Sequence, residues 1–189
     1  MLSTIQPIVL VGGRSQRFGR DKLREPVGLG GAEWLVDRPI SALREVFGRR
    51  VGLVGDCHPS VAARGDLVLA DPYPGSGPAG GILAALEQGS GDVFVLAGDL
   101  PNITARTVRV ILDAVTSDYN PDTSPLVVVA QSDGIQPCIG LYRRAILPLL
   151  ADRLRLGRRS LHDLAPPSRV QLVAVDARDV LNVNTPDAV

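Results

Sequence analysis

The chain has 189 residues, 45% of them hydrophobic and 21% charged, an ordinary globular composition with enough apolar side chain for a sizeable core. Twenty basic residues balance twenty acidic ones to a formal net charge of +0, which argues against a general polyanion binder and so against nucleic acid as a partner. Two cysteines and two histidines in no metal-ligand spacing exclude a disulfide framework and a His/Cys metal cluster. With no signal-like segment and no membrane-length apolar run, the expectation is a cytoplasmic protein of one domain, residues 1–189.

In chain order, the first apolar run, 8–11, reads as a strand and enters a glycine-rich basic stretch. Trp34, Leu35, Ile40, Leu43, Val46 and Phe47 form a helical stripe, with Pro39 near its first turns. Runs at 51–54 and 67–70 read as strands. Ile82, Leu83, Ala85 and Leu86 mark a second helix. The run 93–97 is a strand, and Val108, Ile111, Leu112 and Val115 mark a third helix behind the cap candidate Thr104. Runs at 126–130 and 139–142 follow, then shorter helices at 145–150 and 160–164, then a strand at 170–175 and an apolar step at Val180 and Leu181. Several runs are short, continuous and valine-rich, which suits strands buried on both faces. Alternation of strand and helix predicts a three-layer, Rossmann-like α/β fold with a mixed, mainly parallel sheet and helices on both faces.

In such sheets ligands sit beyond the carboxyl ends of the strands. That edge would gather the loop after the first strand, Asp71, Asp99 and the asparagines Asn182 and Asn184. In the first loop, Gly12 and Gly13 let backbone N–H groups turn onto phosphate oxygens, and Arg14, Arg17 and Lys22 add positive charge. Lys22 is the one lysine among twenty basic residues. Its thin stem and point charge enter a narrow phosphate cradle where a planar guanidinium is too wide. A P-loop is excluded, because G-x-x-x-x-G-K-[ST] is not met. Asp99, followed by Leu100 and Pro101, suits a Mg²⁺ site, since that ion takes oxygen ligands and often only one or two from protein; an Asx turn is the competing reading. Asn182 and Asn184 alternate and share one side of an extended segment, with turn formation before Pro186 as the alternative. Gly75, Gly77 and Gly80 satisfy G-x-G-x-x-G and make an NAD-dependent dehydrogenase the obvious rival. Against it, Pro74 and Pro78 stiffen the turn, and the 12–22 loop would have no task.

The ordered set resembles the molybdenum cofactor guanylyltransferases, in the wider superfamily of nucleotidyltransferases that make nucleotide-activated sugars and cofactors. The residues that carry it are Leu10-Val11-Gly12-Gly13 through Gly19-Arg20-Asp21-Lys22, then Gly77-Pro78-Ala79-Gly80-Gly81-Ile82, Asp99-Leu100-Pro101, Gln136-Pro137 and Asn182-Val183-Asn184-Thr185-Pro186. The resemblance implies transfer of GMP from Mg·GTP to the phosphate of molybdopterin, with release of pyrophosphate. It also implies transient contact with proteins that deliver or accept the cofactor. Carried over by position, Leu10, Val11, Gly12, Gly13 and Arg14 would meet the nucleotide, Lys22 its phosphates and Asp71 the nucleoside. Asp99 would hold Mg²⁺, Asn182 and Asn184 would serve the acceptor, and Arg158 or Arg159 could reach its phosphate. Lys22 and Asp99 would be the catalytic pair.

Several positions depart from that pattern. Val11 replaces an alanine, which would add bulk beside the nucleotide. Gly98 stands where many relatives have cysteine. Val54-Gly55-Asp56 lacks the asparagine that some relatives place at the base, and Val189 ends the chain where relatives run on into a helix. Sister activities are therefore the alternatives: a molybdopterin cytidylyltransferase, or a sugar-phosphate or lactyl-phosphate enzyme. A non-catalytic nucleotide-binding protein is a more distant one.

Overall fold

The computed structural model describes residues 2–12, 21–28, 31–115 and 119–182. Nine strands alternate with five helices among these residues: β1 (Gln6–Leu10), β2 (Pro26–Val27), β3 (Glu33–Trp34), α1 (Asp37–Phe47), β4 (Gly52–Val54), α2 (Pro59–Ala62), β5 (Leu67–Leu69), α3 (Gly77–Gln88), β6 (Val93–Ala97), α4 (Ala105–Asp113), β7 (Val127–Gln131), β8 (Ile135–Tyr142), α5 (Leu147–Arg155) and β9 (Val170–Ala174). Seven strands form one sheet in the order β5-β4-β1-β6-β8-β7-β9, and β2 pairs with β3 in a small separate ribbon. All seven apolar runs lie on sheet strands.

The sheet is mixed for a local reason. Only 132–134 separate β7 from β8, too short for the crossover a parallel pair needs, so the two form an antiparallel hairpin. β8 therefore also runs antiparallel to β6, while β1, β4, β5 and β6 are mutually parallel and β9 runs parallel to β7.

Successive strand residues point to opposite faces, and both faces are covered. Val9, Phe94, Leu96, Val128 and Leu141 pack with Ile40 and Leu43 of α1 and Val108 and Ile111 of α4. Their alternating neighbours Ile8, Val95, Val129 and Tyr142 pack with Ile82, Leu83 and Leu86 of α3 and Leu150 of α5. Burial on both sides is why these strands read as continuous apolar runs.

Two helical expectations are corrected. Trp34 lies in β3, opposite Pro26, and helix α1 begins only at Asp37. Proline has no N–H and is tolerated only in the first turn, so Pro39 prevents the helix from reaching back to Trp34. The segment 160–164 forms turns. Gly157, with φ +75°, ends the preceding helix, Pro166 and Pro167 lie just beyond, and the few residues between cannot repay a helix nucleus. Thr104 does cap α4, its side chain accepting from Thr107 N at 3.3 Å.

Candidate active site

The carboxyl ends of β1, β4 and β6 open onto one cleft of about 710 Å³. Leu10, Val11 and Gly12 enter from β1, Asp56, Cys57 and His58 follow β4, and Ala97, Gly98 and Asp99 leave β6. Asp21, Lys22, Leu23, Pro78, Cys138 and Asn182 complete the wall. The strand ends are tied together: Val11 N donates to Val54 O at 2.9 Å, and Gly98 N donates to Leu10 O at 3.0 Å. Gly12 and Gly55 touch backbone to backbone. A Cβ on Gly55, whose φ is +116°, would stand 2.3 Å from Gly12 N, so this corner accepts no side chain on Gly55.

Lys22 opens a short 3₁₀ turn, Lys22–Arg24, that Asp21 caps by accepting from Leu23 N at 3.1 Å. Leu23 is buried beneath it and anchors the turn against Gly98, whose Cβ would stand 3.1 Å from Leu23 Cδ2. Lys22 Nζ thereby donates to Asp99 Oδ2 at 2.5 Å, with side-chain exposures of 22% and 14%. An ammonium near the start of the chain and a carboxylate from its middle converge in one cleft.

Asn182 arrives by a different route. Beyond β9 the chain turns back, held by Thr107 Oγ1 donating to Asp179 Oδ2 at 2.6 Å and by Asn102 Nδ2 donating to Arg178 O at 3.2 Å. Val180, 3% exposed, plugs into the core, while Leu181 points outward. Asn182 then lines the cleft, its Oδ1 buried with no hydrogen-bond partner among the described residues. A buried amide oxygen without a partner costs free energy unless a donor or cation meets it.

Other expected site residues fall elsewhere. Asp71 is not part of the cleft wall; its carboxylate accepts from Tyr73 N at 2.9 Å, an Asx turn closing the loop before α3. Arg159 donates to Gly75 O at 2.9 Å and so braces that same loop. Val11 lines the cleft but is 4% exposed and packs into the core under α1 and α4, so its extra bulk is absorbed inside. Gly13, Arg14, Arg17 and Asn184 lie outside the described residues. The G-x-G-x-x-G glycines follow edge strand β5; Gly75 and Gly77 take φ of +77° and +64° with open space around them, while Gly80 and the adjacent Gly81 are closely packed. A Cβ on Gly80 would stand 2.8 Å from Ser76 Cβ, and one on Gly81 would stand 2.8 Å from Leu10 Cδ2.

Sequence reasoning missed Asp56, Cys57, His58, Pro78 and Cys138. The loop after β4 was findable, since every parallel strand ends at this edge. Cys138 was not, because it enters from the reversed strand β8. Neither thiol is suited to act as a thiolate. Burial first, then the Asp99 charge, pushes Cys138 up to about 11, and burial with Asp21 and Asp56 raises Cys57. His58 accepts from Ser60 N through Nδ1 at 3.2 Å, which fixes it as the cap of α2.

The described residues contain no cluster of three or more His, Cys, Asp or Glu that could hold a metal, and no helix long and apolar enough to cross a membrane. The cleft wall instead offers the carboxylates of Asp21, Asp56 and Asp99, none of them in a cluster of three, with one buried amide oxygen and one ammonium. That set suits an anionic ligand bringing a hard cation with it, since such a cation borrows most of its ligands from phosphate and water.

Comparison with known proteins agrees with this chemistry. A protein of Carboxydothermus hydrogenoformans is 29% identical over 94% of this chain and 89% of its own length, and one of Opitutus terrae is 31% identical over 98% and 93%. Both carry the name probable molybdenum cofactor guanylyltransferase. The crystal structure of molybdopterin-guanine dinucleotide biosynthesis protein A from Archaeoglobus fulgidus superimposes with a TM-score of 0.70 at 21% identity, covering 96% of this chain and 93% of that one. The family description MobA-like NTP transferase domain matches residues 7–170, and the chain belongs to that family of nucleotidyltransferases.

Proposed function

We propose that the protein is a molybdenum cofactor guanylyltransferase of the cytoplasm, working as a single domain, which transfers GMP from GTP to the phosphate of molybdopterin and releases pyrophosphate. The observation that carries this reading is the meeting of Lys22 and Asp99 in a cleft at the strand ends, in a chain of this family.

A phosphate monoester is largely dianionic at neutral pH, so the acceptor needs no general base. This agrees with thiols held protonated and a histidine used as a cap. An oxygen of the acceptor phosphate attacks the α-phosphorus, its new P–O bond forms, and the bond from the α-phosphorus to the bridging oxygen breaks to leave pyrophosphate. Protein catalysis is then positioning and charge neutralisation. The backbone from Leu10 to Gly12 borders the nucleotide, and Gly13 and Arg14 contribute to its binding. Lys22 holds phosphate oxygens on the leaving side, and Asn182 and Asn184 serve the acceptor.

The donor set fits Mg²⁺: Asp99 would supply a carboxylate and Asn182 a buried amide oxygen that has no partner among the described residues, both hard ligands. When bound there, the ion supplies Lewis-acid stabilisation of phosphate charge. Incubation with Mg²⁺, GTP and molybdopterin, followed by mass spectrometry of the pterin, should give the guanine dinucleotide. Equal or better conversion with CTP would assign the chain to the cytidylyl branch, and no nucleotide-dependent product would remove the proposal.

A further inference from the structure

We propose that Lys22 has a second role: it occupies the cation position on Asp99 until a triphosphate draws it away, so that a divalent metal is admitted only together with the nucleotide. This rests on the reading above, in which Asp99 is the metal ligand. The pairing is close, 2.5 Å, and mostly withdrawn from water, with 14% of the Asp99 side chain exposed. Asp21 and Asp56 are the other carboxylates on the cleft wall, and Asp21 is turned to its backbone cap at Leu23 N.

A hydrated dication approaching Asp99 alone would have to expel the ammonium and leave two cations around one carboxylate, in a site of reduced dielectric where like charges repel strongly. A triphosphate changes the balance. Its oxygens take the ammonium, and the carboxylate is released as the metal arrives. Lys22 thus couples the two ligands, and by linkage each raises the affinity for the other by the same factor. The turn geometry permits the exchange. Lys22 stands at the first position of the Lys22–Arg24 turn, whose fixed point is the buried Leu23, so the flexible side chain moves while the backbone stays.

The test uses Mn²⁺ as a paramagnetic probe, with free ion counted by EPR, on the full chain and without turnover. Wild type should bind Mn²⁺ weakly alone and at least about tenfold more tightly with GTP, within the usual range of site coupling. Lys22→Met should bind Mn²⁺ alone about tenfold more tightly than wild type and lose most of the GTP dependence. Lys22→Gln repeats the measurement if the first variant unfolds, with circular dichroism as the check. Equal Mn²⁺ affinity in wild type and both variants, lost on Asp99→Asn, would overturn the gate while leaving Asp99 as the ligand. Mn²⁺ binding that survives Asp99→Asn in the Lys22→Met background would overturn the metal assignment on which the gate depends.

Discussion

The single lysine of the chain and Asp99 lie 77 positions apart in sequence and share one hydrogen bond. Removing either side chain should leave the fold and take the chemistry. Lys22→Ala is expected to cost about 2–4 kcal/mol of transition-state stabilisation, the scale of one charge-stabilising donor, read as kcat/KM for pyrophosphate release. Lys22→Arg keeps the charge but brings a planar fork into a turn packed against Gly98. It should recover little of that loss, and a wild-type rate would show that shape is immaterial. Asp99→Ala should abolish turnover at every Mg²⁺ concentration in a steady-state titration. At this scale the sequence was informative because the chemistry was conspicuous: a lone lysine in a glycine loop, and an aspartate between a strand and a proline. Asp71 is less legible, because a strand-end aspartate suits an Asx turn as well as a ligand, and its Oδ1 accepts from Tyr73 N.

Individual elements are held by a few directed bonds whose loss can be measured. Thr104→Ala should destabilise α4 by about 1 kcal/mol in urea denaturation, the usual cost of an N-cap side chain. Asp66 joins α1 to the start of β4. Its carboxylate accepts two bonds from Arg44, at 2.8 and 3.1 Å, and one from Val51 N at 2.9 Å. The Arg44 bond first, then the Val51 N–H, holds this carboxyl below its ordinary value. A depressed folded-state value means the stabilisation is complete above the unfolded value, near ~3.9, and is lost as pH falls through the folded one. Asp66→Asn should therefore lower Tm at pH 7, and the difference from wild type should shrink as pH falls below the unfolded value of about 3.9. Continuous apolar runs placed all seven sheet strands, because the inner strands are buried on both faces and even the partly exposed edges β5 and β9 keep valine and leucine. The β2–β3 ribbon, each strand two residues long, has no period to detect. Trp34 fits a helical stripe when Pro39 is allowed anywhere in the first turns, but proline is accepted only in the first, so α1 starts at Asp37.

Across the whole molecule, alternation of strand and helix revealed the layers, but the reversal of β8 depended on a hairpin connection too short for a crossover. That reversal carries Cys138 into the cleft from a direction a purely parallel reading does not supply, and the return of 177–182 depends on long-range bonds to Asn102 and Thr107. The corner where Gly12 meets Gly55 is the tightest test of the assembled edge. Gly55→Ala should cost about 2–5 kcal/mol, from a disfavoured φ and a backbone collision, in thermal and urea unfolding. Gly134→Ala, where a Cβ meets nothing within 4 Å, should change stability by less than about 0.5 kcal/mol. The Gly12–Gly55 contact also has an engineering consequence. The loops after β1 and β4 are meshed there like gear teeth, so a graft into the β4 loop must keep its glycine. Otherwise it will push the β1 loop out of alignment, and whatever the graft gains at this edge of the cleft will come with a general loss of turnover.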